Sequence, residues 1–182
     1  ALENGTISAV LGGSGAASKT TPGVVTLSGS NSWSGALGIY EGSLRVTGAG
    51  MLTTGSVFVS GAGATLSLGN TSQSVGAFRL VEGVVDSGTL VATAATLENG
   101  TFLAQWSGSG ALSKTTGGFV TLSAPSPLLT GPVTLAAGTL RIESSSALGS
   151  SGPVAFTGGS LVYGVGVSLD LSSRMSVAAG SL

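Results

Sequence analysis

The chain contains neither cysteine nor histidine, and its 182 residues include only six basic and seven acidic side chains. The lack of cysteine excludes disulfides, thiolate catalysis and cysteine-based metal sites. The lack of histidine excludes Ser-His-Asp catalysis. Scattered basic residues and a net charge of -1 provide no electrostatic footprint for nucleic acid or anionic lipid. We therefore expect no metal, no cofactor and no nucleic-acid partner.

The low charge also argues against long amphipathic helices. An average soluble domain carries about a quarter charged residues, whereas this chain has 7%. Its apolar stretches are interrupted by glycine, serine or threonine long before the roughly 18 residues that a spanning helix requires. Glycine, with 32 residues, is abundant instead. No segment predicts a helix of useful length.

Two parts of the chain, residues 2–46 and 97–142, are copies of each other. Three short segments of the first copy recur in the second in the same order. They are Leu2–Thr6 and Leu97–Thr101, Ser18–Thr21 and Ser113–Thr116, and Gly42–Arg45 and Gly138–Arg141. We refer to residues 2–46 and 97–142 as the first and second repeat copies.

A shorter repeat predicts the architecture: glycine, then serine, threonine or alanine, then leucine two residues after the glycine, or three in the case of Gly63. It occurs at regular intervals in much of the chain, at Gly42, Gly63, Gly88, Gly138, Gly159 and Gly180. Between these glycines lie short runs of valine, leucine and threonine with alternating polarity, which is typical of strands between turns. The sequence thus predicts an all-β fold, a parallel β-helix (β-solenoid) with about 20–21 residues per coil.

The repeat also predicts the roles of particular residues. We expect Gly42, Gly63, Gly138 and Gly159 to form tight corners with positive φ or close backbone approach, and the Asn-Gly pairs at Asn4 and Asn99 to form turns. Four basic residues recur at matching positions, which favours outward-facing, solubilising roles or a stacking role over ligand contact; they are Lys19, Lys114, Arg45 and Arg141.

The first repeat copy resembles a known family. Gly13–Lys19, Val25–Gly35 and Glu41–Val46 follow the order of the autotransporter-associated β-strand repeat, G-x-G-x-L-x-K, V-T-L-x-G, N-x-Y-x-G and x-G-x-L. A second copy runs over 108–142, where Pro127–Gly131 replaces the Asn-aromatic turn. The two copies together cover under half of the chain.

This resemblance implies a right-handed parallel β-helix, a single segment spanning 1–182 of a longer passenger in type V secretion by a Gram-negative bacterium. It further implies a non-enzymatic stalk and scaffold that aids export and display at the cell surface or in secreted form. The partners implied are the protein's own C-terminal translocator barrel and the outer-membrane assembly machinery. The pattern begins in mid-repeat at Ala1 and would open another coil at Gly180, so we expect the rod to continue beyond the chain.

An adhesin remains the alternative, acting on host glycan or protein or through self-association. Its candidate binding residues are the large amphipathic aromatics Trp33, Tyr40, Trp106 and Tyr163, which could stack on sugars if two shared an exposed face. Covering the apolar core or filling a corner is the favoured role for these side chains.

A carbohydrate-active β-helix enzyme is the other alternative, because that chemistry requires two facing carboxylates. Glu82 and Asp86, with Arg79 nearby, are the closest such pair in the chain. A solvated turn with a surface ion pair is the favoured interpretation, so we expect no catalytic residues.

Overall fold

The computed structural model describes residues 1–177, and these form a parallel β-helix of about nine turns. Every strand pairing is parallel, and the described residues contain no helix. No helix there could therefore span a membrane. The strands are β1 (Gly5–Ile7), β2 (Ala17–Lys19), β3 (Val24–Leu27), β4 (Leu37–Ile39), β5 (Gly42–Val46), β6 (Val57–Leu97), β7 (Gly100–Phe102), β8 (Gln105–Ser107), β9 (Ala111–Lys114), β10 (Phe119–Leu122), β11 (Val133–Leu135), β12 (Thr139–Ile142), β13 (Val154–Phe156), β14 (Ser160–Tyr163) and β15 (Met175–Val177).

The strands form faces that wind around one core. The first face consists of strands stacked in the order β1, β3, β5, β6, β7, β10, β12 and β14. The second face consists of strands stacked in the order β2, β4, β6, β9, β11, β13 and β15. A third face joins β8 to β6 and is continued by bonds such as Ser32 N to Leu11 O. The predicted all-β solenoid is confirmed.

Alternation along each strand separates the core from the solvent, because successive side chains point to opposite sides. Phe102, Leu122 and Ile142 lie side by side in register and are at most 2% exposed. The outward neighbours of the first face read Thr6, Thr26 and Arg45 in one copy. They read Thr101, Thr121 and Arg141 in the other. Arg45 is exposed, and Arg141 pairs with Glu143, as expected for outward positions.

The corners follow the prediction with one exception. Gly42, Gly138 and Gly159 have positive φ, whereas Gly63 has neither a left-handed conformation nor a close neighbour, so its predicted corner role is wrong. The backbone can take that turn without glycine, and nothing packs against it. Gly180 lies outside the described residues.

The predicted coil length does not hold throughout the rod. Through most of the rod the register partners keep close to it, as for Val120 with Leu140. At the start of the second copy the interval is shorter: Val84 pairs with Thr101, and β8 and β9 pair with β6 at similarly short intervals. The turns there are several residues shorter than those in the rest of the rod. We call residues 84–107 the waist.

Candidate functional site

The two tryptophans predicted as exposed candidates are both buried. Trp33 and Trp106 are each 4% exposed. The indole Nε1 of Trp33 donates to the carbonyl of Gly15 at 2.5 Å. Trp106 stacks on Phe102 with ring centroids 4.1 Å apart and meets Phe78 edge-on. Both tryptophans lie on inward positions of the third face, where burying a large ring outweighs any surface role.

The two tyrosines are exposed, but they do not share a face. Tyr163 is 44% exposed and lies in register with the core residue Ile142, in the last described turns. Tyr40 is 48% exposed at the outer end of β4, and its ring covers Gly38. The second copy has Ala136 where the first has Tyr40, with the same backbone bond to the preceding turn. The shared exposed face on which sugar stacking would depend is therefore absent from the described residues.

The acidic residues likewise do not converge. Arg79 pairs with Glu98 in a neighbouring turn, not with Glu82 or Asp86. One carboxylate oxygen of Asp86 is buried without a hydrogen-bond partner in the described part of the chain. Residues 1–177 contain no group of three or more acidic, cysteine or histidine residues suited to a metal ion.

The structure instead places two basic side chains inside the solenoid. They are Lys19 and Lys114, for which an outward-facing role or a stacking role was predicted. Lys19 is 0% exposed and Lys114 is 1% exposed, so of the two predicted roles, outward-facing or stacking, the outward one is wrong for both lysines. Lys114 stands in register between the buried Leu97 and Leu135. The alternation of Leu112 and Lys114 on β9 was the signal in the sequence, because residues two apart on a strand share a face.

Each buried ammonium group joins two successive turns. Lys19 Nζ donates to the carbonyl of Thr21 in its own turn and to that of Glu41 in the next, at 3.2 Å. Lys114 Nζ donates to the carbonyl of Thr116 and, at 3.4 Å, to that of Ala137. A buried cation is tolerated only when such partners replace its water. We call each of these arrangements a lysine clamp.

A glycine completes each clamp. Gly42 follows Glu41 with φ of 68°, and a Cβ at this position would lie 2.8 Å from Lys19 Nζ. Gly138 has φ of 71°, and its Cβ would lie 2.6 Å from Lys114 Nζ. Any other residue would meet both the lysine and a disfavoured backbone conformation. The recurring glycine and the recurring lysine thus belong to one structural motif.

Burial also changes the acidity of Lys114. Desolvation lowers the pKa of Lys114, and the negative charge of Glu98 opposes that shift. The carbonyl oxygens stabilise the ammonium group but carry no full charge. The clamp is therefore a structural cation, held by backbone dipoles.

A second set of buried polar side chains satisfies backbone groups at another corner. The amide of Asn31 accepts from Leu11 N at 2.8 Å and donates to Met51 O at 2.6 Å. Gln73 accepts from Leu52 N at 2.7 Å and donates to Gly50 O at 3.1 Å.

Ser126 occupies the corresponding place in the second copy, where its hydroxyl accepts from Trp106 N at 3.0 Å. These side chains carry hydrogen bonds between turns wherever the strand ladder stops. The buried polar side chains of both copies therefore hydrogen-bond inside the solenoid, between successive turns.

Comparison with protein-family models, with curated proteins and with solved structures finds no match to this chain.

Proposed function

We propose that this chain is a non-enzymatic structural stalk and scaffold within an autotransporter passenger, where it aids secretion and display at the bacterial surface. In this role it would pass through the outer membrane with the help of the protein's own C-terminal translocator and the assembly machinery of that membrane. The resemblance of both repeat copies to the autotransporter-associated repeat motivates this proposal, and the stacked turns described above are compatible with it.

The observation that carries the proposal is the lysine clamp. Each clamp is complete only when the following turn is in place, because one of its two carbonyl acceptors belongs to that turn. Leaving a buried polar group without its partner costs about 1–3 kcal/mol. A turn that has just folded therefore favours the addition of the next.

Apolar burial acts in the same direction. One turn cannot bury its own inward side chains, so its stability depends on its neighbours. Each Leu, Val or Ile covered by a new turn contributes roughly 1.5–3 kcal/mol. Folding outside the cell, turn upon turn, would oppose sliding of the chain back through the membrane.

Export provides the test. In the polypeptide that carries this chain, Leu140→Asp places a charge at an inward position that is 1% exposed, and Leu128→Asp makes the same change where the side chain is 67% exposed. We expect Leu140→Asp to reduce surface display several-fold and Leu128→Asp to leave it unchanged. Surface protease accessibility and whole-cell immunolabelling would measure both.

Deletion of residues 1–182, scored for display and adherence in one culture, separates the scaffold from the adhesin. Lost or degraded display supports the scaffold. Normal display with lost adherence would overturn it, as would equal display of the two leucine variants.

A further inference from the structure

A surface groove lies where the shortened turns of the waist meet the turns beside them. These turns leave a recess of about 390 Å³ at the corner between the first and third faces. Four uncharged polar side chains line it, from Asn70, Ser87, Thr89 and Gln105, and Leu103 adds an apolar wall that is 45% exposed. We call this recess the waist groove.

Two residues of the groove have an unusual backbone. Asn70 and Ser87 have φ of 58° and 57°, and every other left-handed residue between 1 and 177 is a glycine. For most residues with a Cβ this conformation costs roughly 1–2 kcal/mol, and asparagine tolerates it better than serine does. Strain of this kind concentrates at functional sites, where the side chain is worth more than the relaxed backbone.

The groove side chains also differ from other corner residues in how their polar atoms are used. Asn31 and Gln73 bind backbone groups of neighbouring turns on both their donor and acceptor sides. Within the described part of the chain, none of the four groove side chains hydrogen-bonds to another protein group. Four unused donor-acceptor groups thus converge on one recess.

We propose that the waist groove binds a neutral oligosaccharide. A hydroxyl or amide side chain both donates and accepts, which matches the hydroxyl groups of a sugar. Leu103 offers apolar surface to the C–H face of a sugar ring. Among the described residues, no ionisable side chain lines the groove, and Asp86, which precedes Ser87, is not part of its wall. The lining therefore favours an uncharged ligand over a phosphate or sulfate ester.

Ser87→Gly gives a sharp test, because glycine removes the hydroxyl and accepts the left-handed backbone without strain. The purified chain would be titrated with maltotriose, cellotriose and triacetylchitotriose, with a heparin tetrasaccharide as the charged comparison. Amide chemical shifts in two-dimensional NMR would locate binding. We expect at least one neutral probe to shift the signals of residues 87–89 and 103–105.

We further expect Ser87→Gly and Gln105→Ala each to weaken that binding about tenfold, which corresponds to about 1.4 kcal/mol. Ser145→Ala, at an exposed turn outside the groove, is the matched control and should bind as the unchanged chain does. Thermal unfolding of each variant would show that the fold is intact.

Three results would overturn the proposal. They are no shift with any neutral probe at millimolar concentration, undiminished affinity in both groove variants, and preferential binding of the charged probe. Surface display is not among these readouts, so the outcome is independent of the proposed scaffold role.

Discussion

Asn31 in the first repeat copy and Asn70 beside the waist are the same residue type at corners of the same solenoid, yet they are used in opposite ways. Asn31 is 4% exposed and completes two backbone hydrogen bonds of adjacent turns. Asn70 is exposed, takes a left-handed φ of 58° and leaves its amide unused. In the repeat copies the polar side chains at corners hydrogen-bond inside the rod, whereas at the waist they face the solvent.

The difference follows from turn length. A full-length turn, as in the repeat copies, leaves room at the corner for a buried side chain to replace missing strand bonds. A shortened turn, as in the waist, must change direction within fewer residues, and here residues other than glycine, Asn70 and Ser87, take left-handed conformations as well. Turns of regular length therefore suit a scaffold. The shortened turns of the waist leave the recess that we call the waist groove.

Substitution of the clamp glycines should cause the largest loss of stability. If these glycines could be replaced at little cost, the contrast between the repeat copies and the waist would fail. Gly138→Ala adds a Cβ 2.6 Å from Lys114 Nζ at a φ of 71°. We expect the free energy of unfolding to fall by about 4 kcal/mol, combining left-handed strain with overpacking. Urea unfolding would measure it, and Gly117→Ala, where nothing lies within 4 Å of the added atom, should change little. Equal effects at the two positions would contradict the clamp.

The two asparagines give the next largest effect and test the comparison directly. Asn31→Gly leaves the groups of Leu11 and Met51 unsatisfied, and we expect a loss of about 3 kcal/mol. Asn70→Gly removes strain and should preserve or raise the free energy of unfolding, within about 1 kcal/mol. Thermal and urea unfolding of both variants would decide. A substantial loss in Asn70→Gly would mean that the waist corner also depends on its side chain.

Lys114→Met should have a smaller effect. Methionine retains most of the apolar stem but removes the donor to Thr116 O and Ala137 O. We expect a loss of about 2 kcal/mol, because release of the buried charge partly offsets the unpaired carbonyls. Arg141→Met, an outward change of similar size, is the control. An unaltered unfolding midpoint in Lys114→Met would contradict the structural role of the lysine.

The pH dependence of Lys114 should be the smallest effect. Because burial lowers the pKa of Lys114 in the folded chain, the unfolded chain binds more protons between that lowered pKa and the ordinary lysine value. The free energy of unfolding should therefore rise with pH across this alkaline window.

Lys114→Met should lack that rise. Urea midpoints at neutral and alkaline pH, compared between the two chains, would measure it. Identical pH dependence would contradict the lowered pKa.

Much of the fold was predictable because its signals are periodic. The glycine-x-leucine spacing and the strand alternation predicted a parallel β-helix, and the duplicated motifs predicted equivalent turns. The inward position of Lys19 was missed because lysine usually lies at surfaces, although its alternation with Ala17 on β2 placed it in the core. The burial of Trp33 agrees with the core role favoured for the large aromatics, although composition alone does not reveal which corner positions face inward.

The sequence by itself determined the coil, since stacked turns place equivalent residues at a recurring interval, which is visible in the chain even though the waist departs from it. Only the tertiary structure decided which hydrogen-bond partners the polar side chains have. The acceptors of Lys114 lie in two different turns, and the groove residues Asn70 and Gln105 are brought together across two shortened coils. Such contacts depend on the register between turns, which is set by packing in three dimensions and has no local signature in the chain.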